Sequence, residues 1–398
     1  MIYIFLTNQY LPKPGATGFC VHMVAKCLAA RSFDVSVICY DDGDKEKVFD
    51  GVRVVKIPVS QDFQATGQGG RFQTLHLWWL KLLNIYRYPL KSISLAKQYA
   101  EEIGNLIKGE DDVKVIASYT PLEAVYGMYL AKKKYPQLKC IYYSTDTLSN
   151  EKGNSGFLPL RYREWQGRRW EKILFSVCDK ILIMECHQKH YQDSFFESFQ
   201  HKIAIVNFPL LSPAAFIQDK SEMTGIPVIV FAGTLYKKLR NPQFACDLFT
   251  SISRSQNIKV VFMGSGDCDD ILDQTRKNMG GSFEYLGMQP HQVADKNIKE
   301  ADYLLSIGNA ESAMAPSKIY EYMSTGKPII HFYTYEKDPC IVPFKDYGNA
   351  LIIREGDKDA EKRLQSFLTS RTVLPFLEVA KKFPLSVPDY TADVIQNV

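Results

Sequence analysis

Glu321 and Lys318 lie in the run Pro316-Ser317-Lys318-Ile319-Tyr320-Glu321-Tyr322-Met323, which closes with Thr325-Gly326-Lys327-Pro328. Pro316 suits the first position of a helix, where a missing N–H costs nothing. Gly326 followed by Pro328 supplies the stop. The first turn of such a helix presents free backbone N–H groups and the positive end of the helix dipole, which suits an anion. Glu321 comes four residues after Ser317 and falls on the same face, about 6 Å away. A pyrophosphate at the helix start and a ribose one turn along fit that spacing, the carboxylate accepting hydrogen bonds from the ribose hydroxyls. The same run also reads as a capped surface helix between two strands.

Other loops carry residues for the same chemistry. Tyr10–Gly18 brings Gly15 and Gly18 to the start of a helix over Cys20–Arg31. Glycines there let backbone approach a ligand, and the helix start behind them favours negative charge. The spacing is not G-x-G-x-x-G, so a dinucleotide redox fold is not supported. Phe231–Pro242 places Gly233 and Thr234 at a strand end and then Lys237, Lys238 and Arg240 before a helix. That order reads as a diphosphate clamp or as a basic solvated loop, and it does not say which cation points inward. Gly264-Ser265-Gly266 and Leu286-Gly287-Met288 follow two further strands. Asp42-Gly43-Asp44 and Asp267-Cys268-Asp269 have D-x-D spacing, but acidic turns of this kind are common and are read as loops, not as metal sites.

The elements that must hold these loops alternate strand and helix. In the first half, apolar runs predict strands at Tyr3–Thr7, Asp34–Cys39, Val52–Ile57, Val113–Ala117, Cys140–Tyr143, Lys180–Met184 and Lys202–Val206. Helices are predicted at Cys20–Arg31 and Leu122–Lys134. A Pro- and Gly-bearing break at Asn207–Gly225 follows, and the alternation restarts from Val228–Ala232 and runs on to Ala350–Ile353. This pattern predicts α/β architecture with parallel sheets covered on both faces. The break predicts two Rossmann-like domains, 1–208 and 209–384, with the tail 385–398 packing back on the first. Ligands of doubly wound sheets sit beyond the carboxyl ends of the strands, where all these loops would meet.

Composition agrees with this. The 398 residues are 46% hydrophobic and 23% charged with a formal charge of +4. No long basic block accompanies that small charge, so a nucleic-acid partner is not expected. The nine cysteines are widely spaced without C-x-x-C, which predicts a reducing, cytoplasmic setting and neither disulfides nor zinc. The opening apolar run is short and reads as a buried strand. Leu75–Lys91 interleaves Trp78, Trp79, Leu and Tyr with cations, which fits either a peripheral membrane contact or a helix packed in the first domain. Nearby, Glu164 and Glu171 sit three residues after Arg161 and Arg168, which predicts a solvated helix.

Phe231–Pro242, Gly264–Gly266, Phe283–Gly287 and above all Pro316–Ile330 together resemble the carboxyl-terminal half of family 4 glycosyltransferases of the GT-B fold. Pro14–Gly18, Val24–Val35 and Ser176–Ile181 resemble, more loosely, its first half. The resemblance implies two Rossmann-like domains facing across a cleft. It implies a nucleotide-diphosphate sugar donor in the second domain and a glycan or lipid-linked acceptor mainly in the first. It further implies retained anomeric configuration and neither metal nor cofactor. Glu321 matches the second glutamate of the family's E-x7-E pattern; the first falls on Ala313, with Glu311 two residues early. Thr234 stands where many members have arginine, and the following cation falls on Leu239, with Arg240 its nearest replacement. The family's first-domain histidine falls near Thr145, beside Asp146. Donor binding is therefore expected from Gly15, Gly18, Gly233, Thr234, Arg240, Gly264, Gly287, Met288, Pro316, Ser317, Lys318 and Glu321. The catalytic polar groups are expected to be Asp146, Arg240 and Lys318, in a front-face transfer whose leaving diphosphate is stabilised by cations. The departures at 313 and 145 keep open a nucleotide-sugar epimerase and a non-catalytic partner-binding subunit.

Overall fold

The computed structural model describes residues 1–12, 14–41, 46–59, 85–107, 109, 112–149, 158–213, 225–310 and 317–398. It divides into two units, Met1–Pro209 with Leu385–Val398, and Leu210–Pro384.

Among the described residues the first unit has eight strands: β1 (Ile2–Leu6), β2 (Asp34–Tyr40), β3 (Glu46–Phe49), β4 (Val52–Ile57), β5 (Val113–Ser118), β6 (Lys139–Ser144), β7 (Lys180–Met184) and β8 (Ile203–Val206). Their spatial order is β3-β4-β2-β1-β5-β6-β7-β8, parallel except for the β3–β4 pair. Successive side chains on a strand point to opposite faces. Ile4 and Leu6 therefore join one core with Val115 and Ala117, under helices α2 (Ile93–Ile107), α3 (Leu122–Lys134) and α4 (Leu160–Val177). Tyr3 and Phe5 join the opposite core with Val35 and Val37, under α1 (Ala16–Ala30). A short helix α5 (Gln188–Tyr191) follows β7.

α4 departs from its expected solvated state. Gln166, Gly167, Trp170, Glu171 and Leu174 share its buried face, so Glu171 is carried inward with the apolar residues a turn away. Arg168, on the other face, pairs with Asp193 at 3.2 Å instead. Residues 75–84 of the aromatic segment lie outside the described residues. Its described end is tied to α4: Tyr162 donates to Ile85 O at 2.8 Å and Trp170 Nε1 to Tyr88 O at 3.0 Å.

Among the described residues the second unit has six parallel strands: β9 (Val228–Ala232), β10 (Lys259–Met263), β11 (Phe283–Tyr285), β12 (Tyr303–Ile307), β13 (Ile329–Tyr333) and β14 (Ala350–Arg354). The order is β11-β10-β9-β12-β13-β14. The chain winds outward from β9 to β11, crosses back, and winds outward again from β12. The winding thus reverses between β9 and β12, and in such sheets ligands bind in the crevice at that reversal. Ile229, Phe231, Val260, Phe262 and Leu305 form the core with Phe249 and Ile252 of α6 (Gln243–Ile252). Helices α7 (Asp269–Met279), α8 (His291–Glu300), α9 (Lys318–Ser324), α10 (Ile341–Tyr347), α11 (Ala360–Phe367) and α12 (Phe376–Lys382) complete the unit. Buried Lys327 donates to Ile298 O at 2.9 Å and Ala301 O at 2.6 Å, so its ammonium closes the carboxyl end of α8. No helix among the described residues is long and apolar enough to cross a membrane.

The tail helix α13 (Pro388–Gln396) belongs to the first unit, burying Ala392 and Ile395 in the core beside α1. Arg31 grips it through Asp389 at 2.8 Å and Asp393 at 2.6 Å, and Lys114 donates to Gln396 O at 2.6 Å. These ion pairs are largely solvent-facing, so Arg31→Ala is expected to cost about 1 kcal/mol or less. Removing residues 388–398 strips a core face and is expected to cost several times more, read as the urea midpoint of the first unit's transition.

Candidate functional site

The loops after β9, β10 and β11 are one connected layer. Gly233 N donates to Met263 O at 2.9 Å, Leu235 N to Ser265 O at 2.9 Å, and Gly264 N to Gly287 O at 2.8 Å. The approach is so close that side chains are excluded. Gly264 has φ +148, and a Cβ there would run into the Gly233 carbonyl oxygen; one at Gly266 would run into that of Leu235. These glycines thus serve loop-on-loop contact. Gly287 has open space above it, and Met288 beside it is exposed.

Arg240 is the inward cation of the basic loop. It donates from Nη1 to Thr234 O at 3.2 Å and from Nη2 to Asn309 Oδ1 at 2.9 Å, while its buried Nε has no hydrogen-bond partner. Asn309 follows β12, so this side chain spans the β9–β12 reversal, and Ala310 N donates to Leu239 O at 2.7 Å alongside. Burial pulls the Arg240 guanidinium below its usual value, opposed by Cys340, Tyr322 and Asp338 nearby; it stays a cation. Lys237 is turned outward onto Asp270 at 2.7 Å. Beneath Arg240, His331, Asp338 and Cys340 are buried with potential ligand atoms within 4.8 Å of one another. Asp338 accepts from Cys340 N at 2.7 Å and sits 3.6 Å from His331 Nε2. Burial pushes its carboxyl up, but His331 and that N–H outweigh it and hold it below the ordinary value.

Helix α9 begins at Lys318, with Ser317 as its cap, two residues later than the proline signal predicts. Pro316, Glu311 and Ala313 lie outside the described residues. Lys318 and Glu321, one turn apart, form an ion pair with each other. Tyr322 seats the helix: its hydroxyl accepts from Ala232 N at 2.9 Å at the end of β9. The D-x-D residues hold loops, Asp267 accepting from Lys237 N at 2.7 Å and Asp269 from Tyr285 OH at 2.8 Å. Asp42 and Asp44 lie outside the described residues.

In the first unit, Gly15 caps α1 in extended conformation and Gly18 lies inside it. A Cβ at Gly18 would run into Gln9 O, so this glycine lets the helix lie against its own entry loop. Asp146 follows β6, its carbonyl receiving Ser144 Oγ at 2.5 Å. Glu171 reaches the same loop, accepting from Leu148 N at 3.1 Å. Burial pushes the Glu171 carboxyl up to about 7, against hydrogen bonds from Ser149, Tyr191 and Leu148. Sequence reasoning missed Asn309, Tyr322, Asp338 and Glu171. Glu171's place one position after Trp170 and three before Leu174 is the signal that would have found it.

Across the whole chain, the architecture matches solved GT-B glycosyltransferase structures. WaaG, a glycosyltransferase involved in lipopolysaccharide biosynthesis, is 16% identical with 99% of each chain covered and a TM-score of 0.57. The lipopolysaccharide outer core galactosyltransferase WaaB is 13% identical with 100% of each covered and a TM-score of 0.55. HepE from Anabaena, in complex with UDP-glucose, is 12% identical with 100% of each covered and a TM-score of 0.57. At these identities the likeness is one of fold, and the fold is GT-B: two Rossmann-like domains with parallel sheets. Residues 226–362 further match the family of glycosyl transferases group 1. No curated protein matches the chain in sequence. The family match and the fold together support a glycosyltransferase.

Two outcomes follow from this packing. Gly264→Ala is expected to destabilise the second unit by about 2 kcal/mol or more, since both its φ and the Gly233 carbonyl oppose a Cβ, read by urea unfolding. Folded Glu171 keeps its proton up to about pH 7, whereas a carboxyl of ordinary value 4.5 loses it earlier. Its contribution to stability is therefore full below the ordinary value and is lost as pH rises towards 7, by at most about 3 kcal/mol. His187 and His190, held low by burial, act in the opposite direction. The difference between wild type and Glu171→Gln across pH 4.5 to 7 isolates the glutamate.

Proposed function

We propose that the protein is a retaining glycosyltransferase that moves a sugar from a nucleotide diphosphate to a glycan or lipid-linked acceptor without a metal ion. The observation that carries this is Arg240 at the β9–β12 reversal. It is a half-buried cation, fixed through two of its nitrogens, at the edge where a parallel sheet binds its ligand. Such a group stabilises the charge that grows on a departing diphosphate and needs no reorganisation as the bond breaks. Gly233, Thr234, Gly287, Met288, Ser317 and Lys318 line the donor site in this reading. Lys318 is the second cation for the diphosphate. Glu321 exchanges part of its ion pair with Lys318 for the ribose hydroxyls. Asp146, after β6, is the polar group beside the transferred sugar. The leaving diphosphate takes the acceptor proton as the sugar passes across on one face. The exposed Tyr86 and Trp165 near the end of the aromatic segment support peripheral contact with an inner membrane face, where a lipid-linked acceptor is found.

HepE's complex with UDP-glucose makes uridine nucleotides the first probes. UDP at a hundred times its dissociation constant should stabilise the chain by about 2.7 kcal/mol in thermal melts, with GDP, ADP and CDP run in parallel. Arg240→Ala removes a charge-assisted contact worth about 1.5–3 kcal/mol and is expected to weaken nucleotide binding at least tenfold. Glu321→Ala should weaken it severalfold. Unchanged affinity in a folded Arg240→Ala protein, or no stabilisation by any nucleotide diphosphate, sinks the donor assignment. Retention is read from the anomeric proton coupling of the product.

A further inference from the structure

We propose that Glu171 is a positioning residue for the transfer, holding the Thr145–Ser149 loop, and Asp146 within it, from the interior of the first unit. The proposal rests on the reading of Asp146 as the group beside the transferred sugar. The loop leaves the carboxyl end of β6, beyond the last β6–β7 pairing at Ser144. α4 and the α5 region supply the order there. Glu171 Oε1 accepts from Leu148 N at 3.1 Å and from Tyr191 OH at 3.0 Å, and Oε2 accepts from Ser149 Oγ at 2.5 Å. Ser149 Oγ also meets His190 Nε2 at 2.9 Å, and Ser144 Oγ donates to the Asp146 carbonyl at 2.5 Å. The loop is therefore held at residues 146, 148 and 149.

Gly167, one turn before Glu171, permits the approach. A Cβ there would stand 2.5 Å from Leu148 O and 2.6 Å from Ser149 Cα. A carboxyl group with no solvent exposure is an expensive way to fill space, and an apolar side chain of similar volume packs at less cost. What the carboxyl adds is direction. It fixes a backbone N–H and an adjacent hydroxyl at once, and so sets the path of the peptide units beside Asp146. The loop's location at the carboxyl edge of a parallel sheet is where such precision bears on a ligand.

The test measures nucleotide release by the full chain from UDP-glucose, UDP-galactose, UDP-N-acetylglucosamine and GDP-mannose, for Glu171→Ala, Asp146→Ala and the double variant. Glu171→Ala is expected to lower kcat at least about tenfold, leave the donor KM within about threefold, and keep the thermal stabilisation by UDP. The double variant should be no slower than Asp146→Ala, because residues acting through one another are not additive. Glu171→Gln, which retains an acceptor for Leu148 N and Tyr191, should recover most of the rate. If Glu171→Ala does not fold, Ser149→Ala and Gly167→Ala disturb the same contact from its two sides and should show the same kcat-only pattern. Multiplied losses in the double variant, a KM change matching the kcat change, or full turnover in Glu171→Ala beside a slow Asp146→Ala overturn the positioning role. Full turnover in Asp146→Ala overturns the reading of Asp146 itself. No release from any donor together with no thermal stabilisation of the wild type by any nucleotide diphosphate overturns the transferase reading beneath both.

Discussion

A guanidinium taken out of water must be met by acceptors, and in the second unit that requirement organises the ligand edge of the sheet. Arg240 finds its acceptors in Thr234 O, on its own loop, and Asn309, on the loop after β12. Those two loops leave strands that are neighbours in space but widely separated in sequence. The side chain thus joins the two halves of the winding at the point where they diverge. With Asn309 fixed, Gly308 before it lies against Asp338, where a Cβ would collide with the carboxylate. With Thr234 fixed, the glycine contacts to the β10 loop follow. The third nitrogen, Nε, is buried without a hydrogen-bond partner among the described residues.

Much of this was legible in the residues. β4, β7 and β9 have the bounds that their apolar runs predict, because strands buried on both faces of a parallel sheet are continuous hydrophobic runs. β3 was not legible. Its residues Glu46, Lys47 and Val48 are exposed on an antiparallel edge, and no apolar pattern marks them. α2 went unnamed although Leu95, Tyr99, Ile103 and Leu106 repeat at helical spacing. The reading of Glu171 failed for an instructive reason. Pair rules for Arg and Glu three residues apart assume an exposed face. The neighbouring Trp170 and Leu174 carried the opposite message.

At the candidate site, residue type was more legible than residue role. The basic loop announced cations, but only packing distinguishes Arg240, turned inward, from Lys237, held on Asp270. The glycines announced close approach, but at Gly264 and Gly266 the partner that approaches is a neighbouring loop. Tyr322 sits within the most informative stretch of sequence, yet its function depends on reaching Ala232, ninety residues away. Contacts of that range leave no local trace in a single sequence.

The tail helix carries a consequence for biosynthesis. Residues 388–396 cover α1 in the first unit, yet the whole of the second unit lies before them in the chain. On the ribosome the second unit is complete as a continuous segment while the first still lacks this cover. Val21, Val24 and Leu28 then have no Ala392 and Ile395 against them. For that interval the nascent chain presents an apolar surface that chaperones bind and that neighbouring chains can capture. The solubility of the protein during synthesis therefore depends on when this helix emerges.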